Sequence, residues 1–581
     1  MADNVAQNIS IALYRFMCQN IVGTEDHVKQ LRLINTVRDN LSSDEKMTFI
    51  TSGSFGEGLE MRGSDLDIMC VLKDMKIQDV KSSSHPRIRY WTMDTDDVKP
   101  GFTKLYCENT CGMSHRTLEE VNGKYYFSSA IFRQGLLVDK KKLTIHGPCI
   151  SDNYEKMDIA LCLRCKTWVA PATEWITRPS NQWPSYNVKQ RIIEHGVLFV
   201  PIGVKGSPKE HLEWRISFSV GGKLLINTFT HTQLLCYALL KILLKDVIAA
   251  NSECKDLLCS YFLKIIIFWI SEELPQHAWK PFSLIPCFMQ CLRRLIYCVD
   301  YAVCLHYFIP ENNMFENKIE GRAREILLEK LFTLHSYGWR CILFSDQISK
   351  FHKSMQNFHI EPHSLYVPEV VTIINSLQLQ SLNILVTHII KNEFQRGIQL
   401  IVSCQKSSIK YLYTYFMSVV CSIRAQTLPL TITCSNKYQY TQYRSCISIL
   451  QQNIYHDAVS GWLMLASFFY KTKQYNKALR IIEYSITKYP PGKLFRSMDV
   501  MDIDHRLLKL KTIQKKSIVQ QWRIMLVDVM LFEQNSVLIP NELLKEVMND
   551  MCSIHTIQYA LFLNFRCHYH LNNARQYEDS L

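Results

Sequence analysis

The stretch Gly53-Ser54-Phe55-Gly56-Glu57-Gly58, followed by Gly63-Ser64-Asp65-Leu66-Asp67-Ile68-Met69, decides how this sequence reads. Phe49-Ile50-Thr51-Ser52 just before it reads as a strand running into a glycine turn. Asp65 to Leu72 alternates and then turns apolar, as a half-buried strand does. Alternate side chains of a strand face the same way, so Asp65 and Asp67 project together while Leu66 and Ile68 point to an apolar side. Two carboxylates that close repel unless a cation sits between them. The glycine-serine turn supplies the complement, with backbone N–H groups and the Ser54 hydroxyl able to cradle phosphate. A divalent cation (Mg2+ or Mn2+) beside a phosphate cradle is the chemistry of phosphoryl or nucleotidyl transfer.

A two-metal site wants a third carboxylate, to hold the second ion and help deprotonate an attacking hydroxyl. Asp158, in Lys156-Met157-Asp158-Ile159-Ala160-Leu161, is a lone acid entering an apolar strand over Met157 to Leu163. An unpaired carboxylate there is costly to bury, and a shared metal accounts for it. The expected catalytic and metal-binding set is therefore Asp65, Asp67 and Asp158.

Outward from this site the texture changes along the chain. Residues 5–40 read as one long amphipathic helix, with Ile9, Leu13, Phe16, Ile21, Val28, Leu31 and Ile34 at helical spacing. Residues 86–145 mix short strand-like runs with Gly and Asn breaks, and the pattern stays mixed to about residue 220. From Thr232 to about residue 345, apolar-periodic segments with few glycines predict a helical bundle. Residues 346–430 predict further helices, and the polar Thr427 to Gln442 a linker or loop. Trp462, Leu465, Ala466, Phe469, Tyr475, Ala478, Ile482 and Pro490 follow the bulky, small and proline positions of a tetratricopeptide repeat. Tyr559 to Tyr569 is a weaker, truncated echo. One such repeat must pack on neighbours to bury its faces; an ordinary helical hairpin is the plainer alternative.

Composition narrows the class. The chain has 581 residues, 47% apolar and 20% charged, with only 20 glycines and 18 prolines. A disordered or collagen-like chain is excluded. The 66 Lys and Arg exceed 53 Asp and Glu, for a net charge of +13, which is compatible with a polyanionic partner. The 21 cysteines are odd in number and irregularly spaced, many inside apolar runs. With no basic leader followed by an apolar stretch at Met1-Ala2-Asp3-Asn4-Val5, this predicts a reducing, cytoplasmic setting. The longest apolar candidate for a membrane span, Tyr261 to Ile270, is interrupted by Lys264 and falls short of ~18 residues, so no membrane association is expected.

The order Gly-Ser, D-x-D and later strand Asp resembles the nucleotidyltransferase superfamily. Glu213-Trp214-Arg215-Ile216-Ser217-Phe218-Ser219 is similar to the W-R-x-S-F-S signature of cyclic GMP-AMP synthase and its animal relatives. Cys259-Ser260-Tyr261-Phe262-Leu263-Lys264 resembles that family's nucleobase-stacking segment, and Phe308-Ile309-Pro310-Glu311-Asn312 also matches. The resemblance covers about residues 5–345, extends to the Mab-type developmental proteins, and is nearest to the cyclic GMP-AMP synthase-like receptors. It implies an α+β fold: a nucleotidyltransferase core of mixed sheet and helices with a long N-terminal helix (1–220), and a helical bundle completing the nucleotide site (221–345). A helical connector (346–430) and an all-α, tetratricopeptide-like region (431–581) would follow. It further implies that Ser54 contacts the triphosphate, that Arg215, Ser217 and Ser219 read the acceptor nucleotide, and that Lys241 touches phosphate. Ser260, Tyr261 and Lys264 would meet the donor nucleotide. ATP and GTP would be joined into a cyclic dinucleotide such as 2′,3′-cGAMP in innate immune, antiviral sensing.

Two departures bear on the partner. Relatives that sense DNA insert a zinc-binding His/Cys cluster after the W-R-x-S-F-S strand; here Ser219 leads to His231 and Cys236 alone, too few ligands for a tetrahedral site. That favours double-stranded RNA, read by shape and phosphate contacts, over DNA. Ala238 also stands where the family has a phosphate-helix lysine, while Lys241 is kept. Cys107, Cys111, His115, His146 and Cys149 have tolerable ligand spacing, though reduced core or loop cysteines are the default. Lys140-Lys141-Lys142 is a candidate nucleic-acid contact, and the basic run His505 to Lys516 a solvated helix face. The rival to an enzyme is a catalytically silent scaffold of the same fold, with a protein partner on the C-terminal repeat region.

Overall fold

A computed structural model describes residues 2–62, 64–78, 88–108, 117–135, 143–152, 157–179, 183–351, 394–428, 436–489, 494–495, 518–547 and 551–572. The chain forms two compact units, residues 1–39 with 45–361, and residues 40–44 with 362–581.

The first unit opens with two helices, α1 (Ala2–Asn20) and α2 (Glu25–Ser42), where the periodicity predicts one. The break is at Gly23, whose φ of +88° suits glycine and whose missing Cβ leaves room for the His27 ring. Thr24 Oγ1 then accepts the His27 N–H at 3.3 Å, and Glu25 and Asp26 lie in the first turn of α2, the charge pattern that favours a helix N-terminus.

Among the described residues, eleven strands build the sheet: β1 (Met47–Ser52), β2 (Leu66–Gln78), β3 (Arg89–Asp94), β4 (Phe102–Cys107), β5 (Leu118–Val121), β6 (Lys124–Phe127), β7 (Leu143–His146), β8 (Cys149–Asp152), β9 (Met157–Cys165), β10 (Val197–Val200) and β11 (Glu213–Ser217). A one-turn helix, α3 (Gly53–Gly56), links β1 to the loop before β2. β2 starts one residue later than the alternation suggests, so Asp65 is on the loop end. The long β2 pairs with β1, β3 and β9, and the path β2-β3-β4-β11-β10-β9 returns on itself. Trp91, Phe127 and Trp214 fill the interior, Trp91 stacked on Phe127 at 4.5 Å and Phe127 5.2 Å from Trp214.

Helices α4 (Ser129–Gly135), α5 (Thr173–Thr177), α6 (Tyr186–His195) and α7 (Ser219–Ile226) connect or cover the sheet. Beyond them come α8 (His231–Ile242), α9 (Ser260–Glu273), α10 (Leu284–Asp300) and α11 (Gly321–Ser336). A capping box between Thr230 and Gln233 starts α8. The stretch Pro281–Asp300 is long and apolar enough to cross a membrane by length and composition; Leu284, Phe288, Cys291, Leu292, Leu295 and Val299 bury it in the bundle core instead.

The second unit has helices at Phe394–Ser403, Ser407–Thr427, Asn436–Gln452, Ser460–Lys471, Tyr475–Thr487, Ile518–Met525 and Thr556–His570. The linker expected over Thr427 to Gln442 is corrected: its second half, from Asn436, is helical. Ala466, Phe469, Ala478 and Ile482 are buried together in the core of this unit, beside Tyr559 and Ala560. Pro490, the Lys140–Lys142 run, Cys111, His115 and the His505–Lys516 run lie outside the described residues. The described cysteines are free thiols; Cys107 is buried and its thiol faces the Tyr125 carbonyl at 3.8 Å.

Candidate active site

Parallel pairing of β2 with β9 puts Asp67 directly opposite Asp158, and antiparallel pairing of β1 puts Ser52 opposite Asp67 on the other side. Asp65, at the loop end, joins them: one oxygen from each of Asp65, Asp67 and Asp158 lies within 4.8 Å of the others. Burial, and then the charges of Asp65 and Asp158, push the Asp67 carboxyl up to about 7. Ser151 Oγ donates to Asp158 Oδ1 at 2.5 Å, and the exposed His146 ring stands 3.8 Å from Oδ2. Three hard oxygen donors with crowded negative charge suit a divalent cation of the Mg2+ or Mn2+ class.

The glycine turn closes on this cluster. Gly53 has a φ of +57°, and a Cβ there would meet Asp67 Oδ2 at 1.7 Å. At Gly56 a Cβ would meet the Thr51 carbonyl at 2.4 Å. The turn is held from outside: Asn35 Nδ2 donates to the Phe55 carbonyl at 2.8 Å, Arg32 Nε to the Glu57 carbonyl at 2.8 Å, and Lys223 Nζ to the Thr51 carbonyl at 2.8 Å. Asp39 takes both the N–H and the hydroxyl of Thr51.

A cavity of about 270 Å³ adjoins the turn. Of the residues expected at the site, Ser54, Asp65, Lys241 and Ser260 line it, and Lys241 Nζ donates to Ser54 Oγ. Arg62, Ser64, Lys245 and Gln347 complete the polar lining. Lys264 is engaged elsewhere: its ammonium is ion-paired with the buried Glu57 carboxylate. Tyr261 is 38% exposed, and its hydroxyl meets His306 Nε2 at 2.8 Å. Because His306 Nδ1 accepts the N–H groups of Phe308 and Ile309, the imidazole proton sits on Nε2 and the Tyr261 oxygen accepts it. Burial, and secondarily Arg215, keep His306 neutral, its pKa down at about 3.

Arg215 is exposed on β11 between buried Trp214 and Ile216. The Ser217 hydroxyl receives the Ser219 N–H at 3.4 Å, while Ser219 Oγ is buried without a protein partner. Beneath them the buried Glu213 accepts from Val204 N at 2.7 Å and Ser207 Oγ at 2.5 Å. His231 and Cys236, the two potential ligands after this strand, turn to the Gly23 carbonyl and the Leu284 carbonyl.

Sequence reasoning missed Glu57, Lys245, His306 and Gln347. Glu57 stood inside the quoted glycine turn and carried a signal, an acid in a phosphate cradle that needs a cationic partner. The other three come to the site only through packing.

A closed mixed sheet with an acid triad at one end, beside a glycine-serine turn and a helical bundle, defines a nucleotidyltransferase-type protein. Residues 137–228 match the Mab-21 protein nucleotidyltransferase domain, and residues 233–332 match the Mab-21 protein HhH/H2TH-like domain. Over residues 137–332 the chain is thus similar to the Mab-21 and cyclic GMP-AMP synthase-like family. It is 28% identical to mouse (Mus musculus) cyclic GMP-AMP synthase over 191 residues, 30% of this chain and 37% of that protein. To protein mab-21-like 3 of Danio rerio it is 23% identical over 153 residues, 25% of this chain and 38% of that protein. The chain thus spans well under half the length of these curated relatives. Asp158 and Arg215 lie in the matched nucleotidyltransferase span, and Ser54, Asp65 and Asp67 precede it.

Proposed function

We propose that the chain is a metal-dependent nucleotidyltransferase that joins two nucleotides, ATP and GTP or related ones, into a cyclic dinucleotide in response to double-stranded RNA in the cytoplasm. The observation that carries this reading is the convergence of the Asp65, Asp67 and Asp158 oxygens beside the Gly53-Ser54 turn. Divalent ions held by these three acids would neutralise the donor triphosphate and acidify the attacking hydroxyl. Ser54 and Lys241 orient the triphosphate from the cavity side. Asp158 Oδ2, with Oδ1 already held by Ser151, takes the proton of the acceptor ribose hydroxyl. The hydroxyl oxygen bonds to the α-phosphorus and the bond to the β-phosphate oxygen breaks, releasing pyrophosphate. Arg215, exposed on β11, presents donors to the acceptor base, and the exposed Tyr261 ring offers a stacking face to the donor base. Such catalysis is mostly positioning and charge neutralisation.

A second cleft supports a polyanionic partner. Lys73, Lys76, Arg164 and Lys166 line a cavity of about 220 Å³ with no acid among its lining residues. It lies where the β2–β9 register shifts between Val71 and Lys76, at the end of these strands away from the acids. A cleft lined by four basic side chains suits a phosphate backbone. In the second unit, the hairpin Ser460–Lys471 and Tyr475–Thr487 suits a tetratricopeptide-like protein contact.

The test is incubation of the full chain with labelled ATP and GTP, Mg2+ or Mn2+, and duplex RNA or duplex DNA. A phosphatase-resistant cyclic product that needs duplex RNA, and is lost in Asp67→Asn, is expected. Folded protein that makes no product in any combination leaves the scaffold reading.

A further inference from the structure

We propose that Cys298 and Cys304 are a redox-modification site, where a peroxide joins the two thiols in a reversible intrachain disulfide that fastens the end of α10 to the segment carrying His306. Nothing in it depends on the nucleotidyltransferase reading. Helix α10 closes with paired bonds, from the Val303 N–H to the Cys298 carbonyl at 2.9 Å and from the Ala302 N–H to the Val299 carbonyl at 3.2 Å. This arrangement turns a chain back on its own helix, and its left-handed position is filled by Ala302 with a φ of +52°, where glycine is usual. The reversal returns residue 304 to residue 298. There the Cys304 backbone is held at both ends: its N–H donates to Asn313 Oδ1 at 2.9 Å, and its carbonyl accepts from the Met314 N–H at 2.9 Å. Asn313 Nδ2 also donates to the Ala302 carbonyl at 3.0 Å. Two fixed backbones thus place the two thiols in hydrogen-bond contact, a contact from which side-chain rotation leads to the ~2.05 Å bond of a disulfide.

The pair is chemically asymmetric. The hydrogen bond from Cys304 lowers Cys298 below an ordinary thiol, against burial, with the Arg294 guanidinium assisting and the Glu273 carboxylate opposing. The same bond, and then burial, raise Cys304. Cys298 is therefore the thiolate, and Cys304 keeps its proton. Cys298 is also the more accessible, 7% exposed against 2%, an opening for an oxidant as small as hydrogen peroxide. The Cys298 sulfur attacks one peroxide oxygen, the O–O bond breaks, and the departing hydroxide takes the proton that Cys298 gave up and leaves as water. The Cys304 sulfur then displaces the hydroxyl of the Cys298 sulfenic acid and gives it its own proton, so that the S–S bond forms and a second water leaves. The two thiols are oxidised by two electrons, and one peroxide is reduced to two waters. Cys304 leads through Leu305 into His306, whose ring bonds the Tyr261 hydroxyl, and the Leu305 carbonyl accepts the Trp269 Nε1–H at 2.9 Å. The disulfide holds this support at one more point. In a reducing setting such a bond is transient and redox-sensing rather than structural.

The experiment treats the folded full chain with hydrogen peroxide, blocks the remaining thiols with N-ethylmaleimide in denaturant, and reads tryptic peptides by mass spectrometry without reduction. Cleavage after Arg294 and Lys318 yields a peptide whose only cysteines are Cys298 and Cys304. That peptide is expected to lose the mass of two hydrogens and both maleimide labels, and to take both labels again after dithiothreitol, while the buried Cys291 keeps its label. Amide exchange over residues 305–308 should slow several-fold in the oxidised protein and recover on reduction. Cys304→Ser, folded by its circular dichroism, should carry Cys298 on to sulfinic acid with no bridged product, and Cys298→Ala should leave Cys304 labelled; the wild-type measurement stands without either variant. Cys298 and Cys304 both still labelled at a dose that oxidises the exposed Cys259, or either one bridged to a different cysteine, overturns the proposal. A bridge that forms without slowing the exchange overturns the fastening.

Discussion

Gly53 approaches the Asp67 carboxylate so closely that a methyl group at position 53 would lie 1.7 Å from Oδ2. The turn proposed to cradle phosphate and the acid proposed to hold a cation are thus one mechanical object. Gly53→Ala must both enter an unfavourable φ and push Asp67 aside. We expect it to cost about 1–2 kcal/mol of stability and to abolish Mn2+ binding measured by electron paramagnetic resonance. A Gly53→Ala protein that binds Mn2+ like wild type would show that Asp67 can move without consequence.

Asp67 carries the like-charge burden of the triad, its carboxyl pushed up to about 7 by burial and its two acidic neighbours. Asp67→Asn removes that repulsion, so without divalent ions its melting temperature should exceed that of wild type. With saturating Mn2+ the order should reverse: ligand at a hundred times its Kd stabilises by about 2.7 kcal/mol, and the variant forfeits this. Thermal melts with and without Mn2+ check both signs.

These acids were legible from their order after the Gly53-Ser54 turn, with Asp67 entering an apolar strand and Asp158 entering another, although Asp65 itself stays on the loop end of β2. Their convergence was not, since nothing local says that β2 pairs with β9 or in which register. The break between α1 and α2 was written in Gly23-Thr24-Glu25-Asp26, a start signal that the apolar periodicity on both sides overrode. Asn436–Gln452 carries four Gln and three Tyr; Gln favours a helix and Tyr does so less, and Cys446 and Leu450 pack it into the core. His306, Glu57 and Gln347 act through partners 45, 207 and 101 residues away, beyond any window of sequence patterning.

Acid should loosen the first unit through two histidines. His27 and His231 are buried, and burial lowers both to about 4. Glu25 pulls His231 slightly up, Lys29 and Arg32 push it down, and His231 pushes His27 down. Above pH 6.5 neither folded nor unfolded chain protonates them, and stability is level. As pH falls from 6.5 toward 4 the unfolded chain binds protons that the fold refuses, and stability drops by up to about 3 kcal/mol per histidine; below 4 the loss levels off. His27→Leu, which also removes an unpartnered buried Nδ1, should halve this pair's share of the acid sensitivity. Urea midpoints at pH 7 and pH 4.5, followed by tryptophan fluorescence, give the comparison.

The Glu57–Lys264 ion pair is 2% and 14% exposed on its two sides, and Glu57 Oε2 has no further partner. Removing one partner strands a buried charge. Glu57→Ala and Lys264→Ala should each cost about 3–5 kcal/mol, whereas Glu57→Gln with Lys264→Met should cost much less than their sum. Additive losses in that double-mutant cycle would mean the two side chains do not depend on each other.

The grip of α2 on the glycine turn yields the last expectation. Asn35 is buried and donates to the Phe55 carbonyl at 2.8 Å, and Arg38 Nη2 bonds Asn35 Oδ1 at 2.9 Å and Thr51 Oγ1 at 3.1 Å. Helix and turn therefore share a buried polar network rather than an apolar contact, and such networks fail as units. Asn35→Ala leaves a carbonyl without its donor, a cost of about 1–3 kcal/mol. That cost falls on the turn, so amide hydrogen exchange over residues 53–58 should quicken by tenfold or more while exchange in β10 stays as in wild type. Under the proposed activation by duplex RNA, binding to the wild type slows exchange in the turn and binding to Asn35→Ala does not. Equal slowing in both proteins would mean that the signal reaches the turn by a route other than Asn35, with Arg32 and its bond to the Glu57 carbonyl the next side chain to remove.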